Sequence, residues 1–154
     1  MTTLSEFGAA PIHFVGIGGA GMSGLARIAL SHGFTGSGTY SQDSSVLQAL
    51  HALGATTYVG HKAEHAHGAG TVVYSSAVGD HNPEVEYARS NGIRLIARAE
   101  ALAILMSESQ SIAVAGTHGK TTTSSMLTVA LQACGSDPSF AIGGTLMASG
   151  SNAH

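Results

Sequence analysis

"IHFVGIGGAGMSGLARIALSHG", residues 12–33, is the stretch that decides the fold. Residues 12–17 are an apolar run ending in glycines, the pattern of a buried strand. Met22, Leu25, Ala26, Ala29 and Leu30 then recur at helical spacing, and Gly33 supplies a stop. Between strand and helix, Gly16, Gly18 and Gly21 satisfy G-x-G-x-x-G in the context that motif requires. Glycine lets the chain turn tightly and bring its backbone close to a diphosphate. The helix N-terminus then offers free N–H groups and the positive end of its dipole. Gly19 and Gly24 extend the pattern. The plainer alternative is a tight strand–helix turn that binds nothing.

Further strands are predicted at 34–39, 56–59, 71–77, 93–96, 111–116 and 140–144. Helices are predicted at 43–54, 82–92, 98–109 and about 120–133, with Asn82 as a cap and Pro83 at a first helical position. Residues 61–70 read as a loop or short helix, and 145–154 as an unfinished loop. Strands alternating with helices give an α/β fold: a Rossmann-like parallel sheet with helices on both faces. The polar stretch "MSESQS", 106–111, is the best candidate for a boundary.

Composition agrees with this class. Of 154 residues, 21 are glycine and 44% are apolar, enough for a real core. Six Lys plus Arg against nine Asp plus Glu make no basic stripe, so a nucleic-acid partner is not expected. No apolar run is long enough to span a membrane, and "MTTLSEFGAAPIHFVG" lacks a basic, then apolar, leader. A single cysteine, Cys134, cannot form an internal disulfide, which fits a cytoplasmic protein.

A second glycine loop lies at "AGTHGKTTT", 115–123. The general phosphate loop is G-x-x-x-x-G-K-[ST], and Val114 stands where its first glycine belongs, so this is a variant. The chemistry still holds. Backbone N–H groups from 117–121 cradle phosphates, Lys120 offsets charge on the β and γ oxygens, and the Thr121 hydroxyl reaches Mg²⁺. Two such loops imply two nucleotides, one carried by a substrate and one supplying energy.

Two alternatives stay open for the first loop. A nicotinamide cofactor ordinarily needs a carboxylate at the end of the second strand. "SGTY", 37–40, has none there, and Asp43 comes a few residues late. The NAD(P) reading is weakened but remains, as does a stand-alone module that binds a nucleotide diphosphate without chemistry. Among nine histidines, His61, His65 and His67 match no structural zinc spacing and read as a solvated loop. His61 alone follows a strand at the edge where ligands gather. Cys134 reads as an idle thiol.

"IHFVGIGGAGMSGLA", "YSSAV", "NPE", "RAEAL", "VAGTHGKTTTSSML" and "IGGTL" resemble the Mur ligases, from about residue 11 to residue 154. The resemblance implies a UDP-binding Rossmann-like domain over 1–108 and the start of a P-loop ATPase domain over 109–154. It implies an ATP- and Mg²⁺-dependent ligase of peptidoglycan synthesis. The carboxylate of UDP-N-acetylmuramate is activated as an acyl phosphate, and the amine of L-alanine attacks it. By position, Gly18, Gly19, Ala20, Gly21, Met22 and Ser23 would hold the UDP diphosphate, with Ser75, Ser76, Asn82 and Arg98 near the UDP-sugar. Gly116, Thr117, His118, Gly119, Lys120, Thr121 and Thr122 would hold ATP, with Lys120 and Thr121 catalytic and Thr121 on Mg²⁺.

Two departures from the family stand out. Its second strand ends in a Ser-Gly-Ser-Asp run, matched here to Thr35, Gly36, Ser37 and Gly38, so the acid is missing. Its acidic Mg²⁺ cluster and its alanine site are expected beyond His154, so this chain is expected to bind the UDP-sugar without completing ligation.

Overall fold

The computed structural model describes residues 3–79, 81–107 and 109–154. Five strands form one parallel sheet: β1 (Ile12–Val15), β2 (Gly36–Tyr40), β3 (Thr56–Val59), β4 (Thr71–Tyr74) and β5 (Arg94–Ala97), in the order β3-β2-β1-β4-β5. The chain runs outward from β1 through β2 to β3, then returns to β1's other side for β4. The reversal opens a crevice at the carboxyl ends of β1 and β4, where ligands bind in such sheets.

Strand alternation sorts the core into two layers. Ile12 and Phe14 face α1 (Ala20–Ser31), α2 (Ser45–Ala52) and α4 (Arg98–Met106), sharing one cluster with Leu25, Leu50 and Ile104. Val15 faces the other way, toward Val72, Val85 and Ala88, with α3 (Pro83–Ser90) on that side. Helices on both faces bury β1 completely, as a central parallel strand requires. The caps are chemical. The Ser44 side chain accepts from Leu47 N–H, and Asn82 Oδ1 accepts from the N–H groups of Glu84 and Val85.

Predicted elements are present with shifted ends, save one. Residues 111–116 form no strand: they pair with no neighbour, and Ile112 is 67% exposed. An apolar run becomes a strand only where partner strands satisfy its backbone groups, and the described residues supply none beside it. The last residues are also more ordered than expected. β6 (Ala141–Leu146) and β7 (Ser151–Ala153) form an antiparallel pair after α5 (Lys120–Ala133). That pair seats on α1: Asn152 Nδ2 donates to Ala20 O at 2.6 Å and to Ser23 Oγ at 3.1 Å.

The second strand corrects a reading of the sequence. It runs two residues past Gly38, which lies mid-strand opposite Phe14 and Thr57. A Cβ on Gly38 would stand 2.6 Å from Phe14 O and 2.7 Å from Ile17 Cβ, so glycine is needed there for close packing. The strand-end position belongs to Tyr40.

Candidate functional site

The first glycine loop forms the floor of a cavity of about 610 Å³ at the carboxyl edge of the sheet, within the usual range for small-molecule sites. Gly16 turns the chain at φ 80°, and its carbonyl accepts from Gly19 N–H at 3.0 Å. Gly19 then caps α1, its carbonyl accepting from Met22 and Ser23. Among the described residues the N–H groups of Ala20 and Gly21 donate to no other backbone group, and they point a helix N-terminus at the cavity.

Each wall comes from a strand end. Tyr40 ends β2 and Ser41 follows it, His61 follows β3, Ser75, Ala77 and Val78 follow β4, and Arg98 opens α4 directly after β5. A Cβ at Gly21 would stand 3.0 Å from Arg98 Nη1, so the guanidinium lies over the loop backbone. Arg98 has no carboxylate partner within ion-pair distance among the described residues, which leaves a cation facing an anion-binding loop. Tyr40 covers Gly18: a Cβ there would meet the tyrosine ring at 2.5 Å.

The structure brings Gly19, Ala20, Gly21, Met22, Ser75 and Arg98 together around this cavity. Gly18 lies beneath Tyr40. Ser23 is buried, donating to Ala20 O. Ser76 is outside the lining, and Asn82 is occupied as the cap of α3. Tyr40 was missed because the match to the family's Ser-Gly-Ser-Asp run set the strand end at Gly38, two residues early. Asp43, the late carboxylate, lies in a separate hollow with Leu47, His51 and Val59. No carboxylate lines the loop cavity among the described residues.

The second loop is built differently. Gly119 caps α5 in the left-handed region at φ 79°, and Gly116 has φ 153°. Among the described residues the N–H groups of Thr117, His118, Gly119, Lys120 and Thr121 donate to no other backbone group. Lys120 Nζ folds back on the loop, donating to the carbonyls of Gly116 and Thr117. Residues 116–123, Thr122 included, are all exposed. Free donors, a lysine and an exposed hydroxyl fit a nucleotide triphosphate with Mg²⁺ at Thr121, although no cluster of three metal-ligating side chains exists among the described residues. The two loops meet at β6. Gly143 lines the first cavity, and a Cβ on it would stand 3.7 Å from Thr121 Oγ1.

Residues 11–110 match the family described as "Mur ligase family, catalytic domain". The chain belongs to the Mur ligase family. It is 56% identical over 142 residues to the UDP-N-acetylmuramate–L-alanine ligase of Nocardioides sp., covering 92% of this chain and 32% of that protein. The corresponding ligase of Renibacterium salmoninarum is 53% identical over 92% of this chain and 30% of its own length. Among solved structures, the UDP-N-acetylmuramate–alanine ligase MurC of Thermotoga maritima superposes with a TM-score of 0.87 at 32% identity, over 94% of this chain and 34% of that one. A murein peptide ligase of Psychrobacter arcticus gives 0.85 at 30% identity, over 94% and 33%. This Mur ligase chain thus spans about a third of the length of the relatives it matches. None of its described helices is long and apolar enough to cross a membrane.

Proposed function

We propose that this chain holds the UDP-N-acetylmuramate site and the ATP loop of an ATP-dependent ligase that adds L-alanine in the cytoplasm. The observation that carries the reading is Gly143. It lines the diphosphate cavity and abuts Thr121 of the second loop. A substrate anchored by its diphosphate at Gly19–Gly21 and Arg98 therefore extends toward Lys120. In this reading residues 1–108 are the UDP-binding domain and 109–154 open the ATPase domain. Its support is that all five strands of the parallel sheet end before residue 98, while β6 pairs with β7 in a separate sheet.

The residues divide the chemistry as follows. The free N–H groups of 117–121 hold the triphosphate, and the Thr121 hydroxyl is the ligand this segment offers to Mg²⁺. Bound Mg²⁺ would offset charge on the phosphate oxygens. Lys120, released from the loop carbonyls, offsets charge on the transferred phosphoryl group. Phosphorylating the muramoyl carboxylate converts a poor leaving oxide into phosphate, which the alanine amine displaces to form the amide. Tyr40 at the strand end, with no carboxylate in the cavity, removes support from a nicotinamide cofactor.

Calorimetric titration with UDP-N-acetylmuramate, with NADH in parallel, tests this. Saturable binding of the UDP-sugar and no heat with NADH is expected. NADH binding with no response to the UDP-sugar would sink the reading.

A further inference from the structure

A buried carboxylate behind the cavity wall has no part in the chemistry above. Glu84, in the first turn of α3, is fully buried. It draws in groups from three other segments. The Thr39 hydroxyl of β2 donates to Oε2 at 2.8 Å, and His61 Nδ1 lies 3.1 Å from the same oxygen. Lys62 N–H donates to Oε1 at 3.3 Å. His65 Nδ1, with its ring stacked on Tyr58, stands 3.6 Å from Oε1. His13 Nε2, from β1, stands 3.8 Å from Oε2.

Donor counting assigns the tautomer of His61. Thr39 has one hydroxyl proton, and it is spent on Glu84. Thr39 Oγ1 also lies 3.1 Å from His61 Nδ1, so toward that nitrogen it presents a lone pair. An ionised carboxylate presents only lone pairs. With acceptors on both sides, Nδ1 carries the hydrogen. In the neutral ring Nε2 is then bare, and it has no hydrogen-bond partner among the described residues. The His61 side chain is 27% exposed and lines the loop cavity. The remaining cavity-facing groups include a donor-only guanidinium and no carboxylate among the described residues.

We propose that Glu84 and Thr39 hold His61 in its Nδ1–H tautomer, so that Nε2 accepts a hydrogen bond from a donor on the bound nucleoside. This takes over the acceptor role that a strand-end carboxylate fills in dinucleotide folds. Glu84 is a positioning residue, acting through the ring of His61, as outer partners of histidine commonly fix its tautomer. The nucleoside donor is a ribose hydroxyl or the imide N–H of the base. The inference rests on the UDP reading above.

Two measurements test it. Nitrogen NMR of His61 in the intact, ligand-free chain reads the tautomer directly and needs no variant. Titration with UDP, 2′-deoxy-UDP, 3′-deoxy-UDP and N3-methyl-UDP, on the wild type and on His61→Ala, reads the contact. The Nδ1–H form is expected, with its population reduced in Glu84→Gln. One of the modified nucleotides is expected to bind the wild type about tenfold more weakly than UDP, a penalty that disappears in His61→Ala. Which nucleotide shows it separates ribose from base. An Nε2–H ring in the wild type overturns the tautomer. Equal affinity for every nucleotide, or a penalty that persists in His61→Ala, overturns the contact. A wild type that binds no UDP removes the function itself, while the spectrum still decides the Glu84–His61 pair.

Discussion

The chain carries two glycine loops, each leading into a helix, and they end in opposite environments. The first sits between buried β1 and α1, walled by residues from four other strand ends. The second precedes α5 after a segment with no strand partner, and residues 116–123 are exposed. Both offer unpaired N–H groups at a helix start. Only the first has neighbours that enclose it in a cavity. A glycine loop is a local feature, while a binding site requires other parts of the sheet to arrive around it.

The contrast breaks most readily at Gly18. Gly18→Ala forces a methyl to 2.5 Å from the Tyr40 ring and is expected to cost about 1–3 kcal/mol of stability and at least about tenfold in UDP affinity. Chemical denaturation and UDP titration read both, and unchanged values for both would show that the first loop is as unconstrained as the second.

Glu84 gives the next largest effect. Burial pushes its carboxyl up, but the His13 ring, the Thr39 hydroxyl and the His61 ring outweigh burial and hold it below the ordinary glutamate value. At 3.8 Å His13 is too far for a hydrogen bond, so its share is electrostatic. A depressed carboxyl supplies stability that is complete above the ordinary value and is lost as pH falls through the depressed one. Glu84→Gln is therefore expected to lose about 2 kcal/mol at neutral pH. The gap from wild type should narrow as pH falls below the ordinary glutamate range. Denaturation midpoints across that range check it, and a gap constant with pH would remove the charge from the explanation.

The smallest effect belongs to the second loop. Lys120 is exposed, and among the described residues its Nζ bonds only to loop carbonyls. Lys120→Ala is expected to leave the denaturation midpoint within about 0.5 kcal/mol of wild type and UDP affinity unchanged. A larger loss would mean that the second loop is as integrated as the first.

Much of this was legible in the sequence. Short-range physics fixes a strand run, a glycine turn, helical spacing and a cap, so β1, the first loop, α1, the Asn82 cap and the start of α5 at Lys120 could all be read directly. The motifs also carried the family. What failed depended on distant residues. Residues 111–116 have strand chemistry but no neighbouring strand, and a strand is defined by its partners. Gly38 looked like a lost acid, whereas the register against β1 and β3 makes it a packing glycine and moves the strand end to Tyr40.

The sequence by itself determined that this is a parallel α/β chain with a glycine turn between its first strand and first helix, because turn and periodicity signals act over a few residues. Only the tertiary structure decided which side chains surround that loop. Tyr40, His61 and Arg98 are separated in sequence and meet only because parallel strands align their carboxyl ends. Glu84 can meet the histidines only because strand alternation turns His13 toward α3. Glu84 reads as an ordinary surface acid until burial and three neighbouring segments give it a partner at every oxygen.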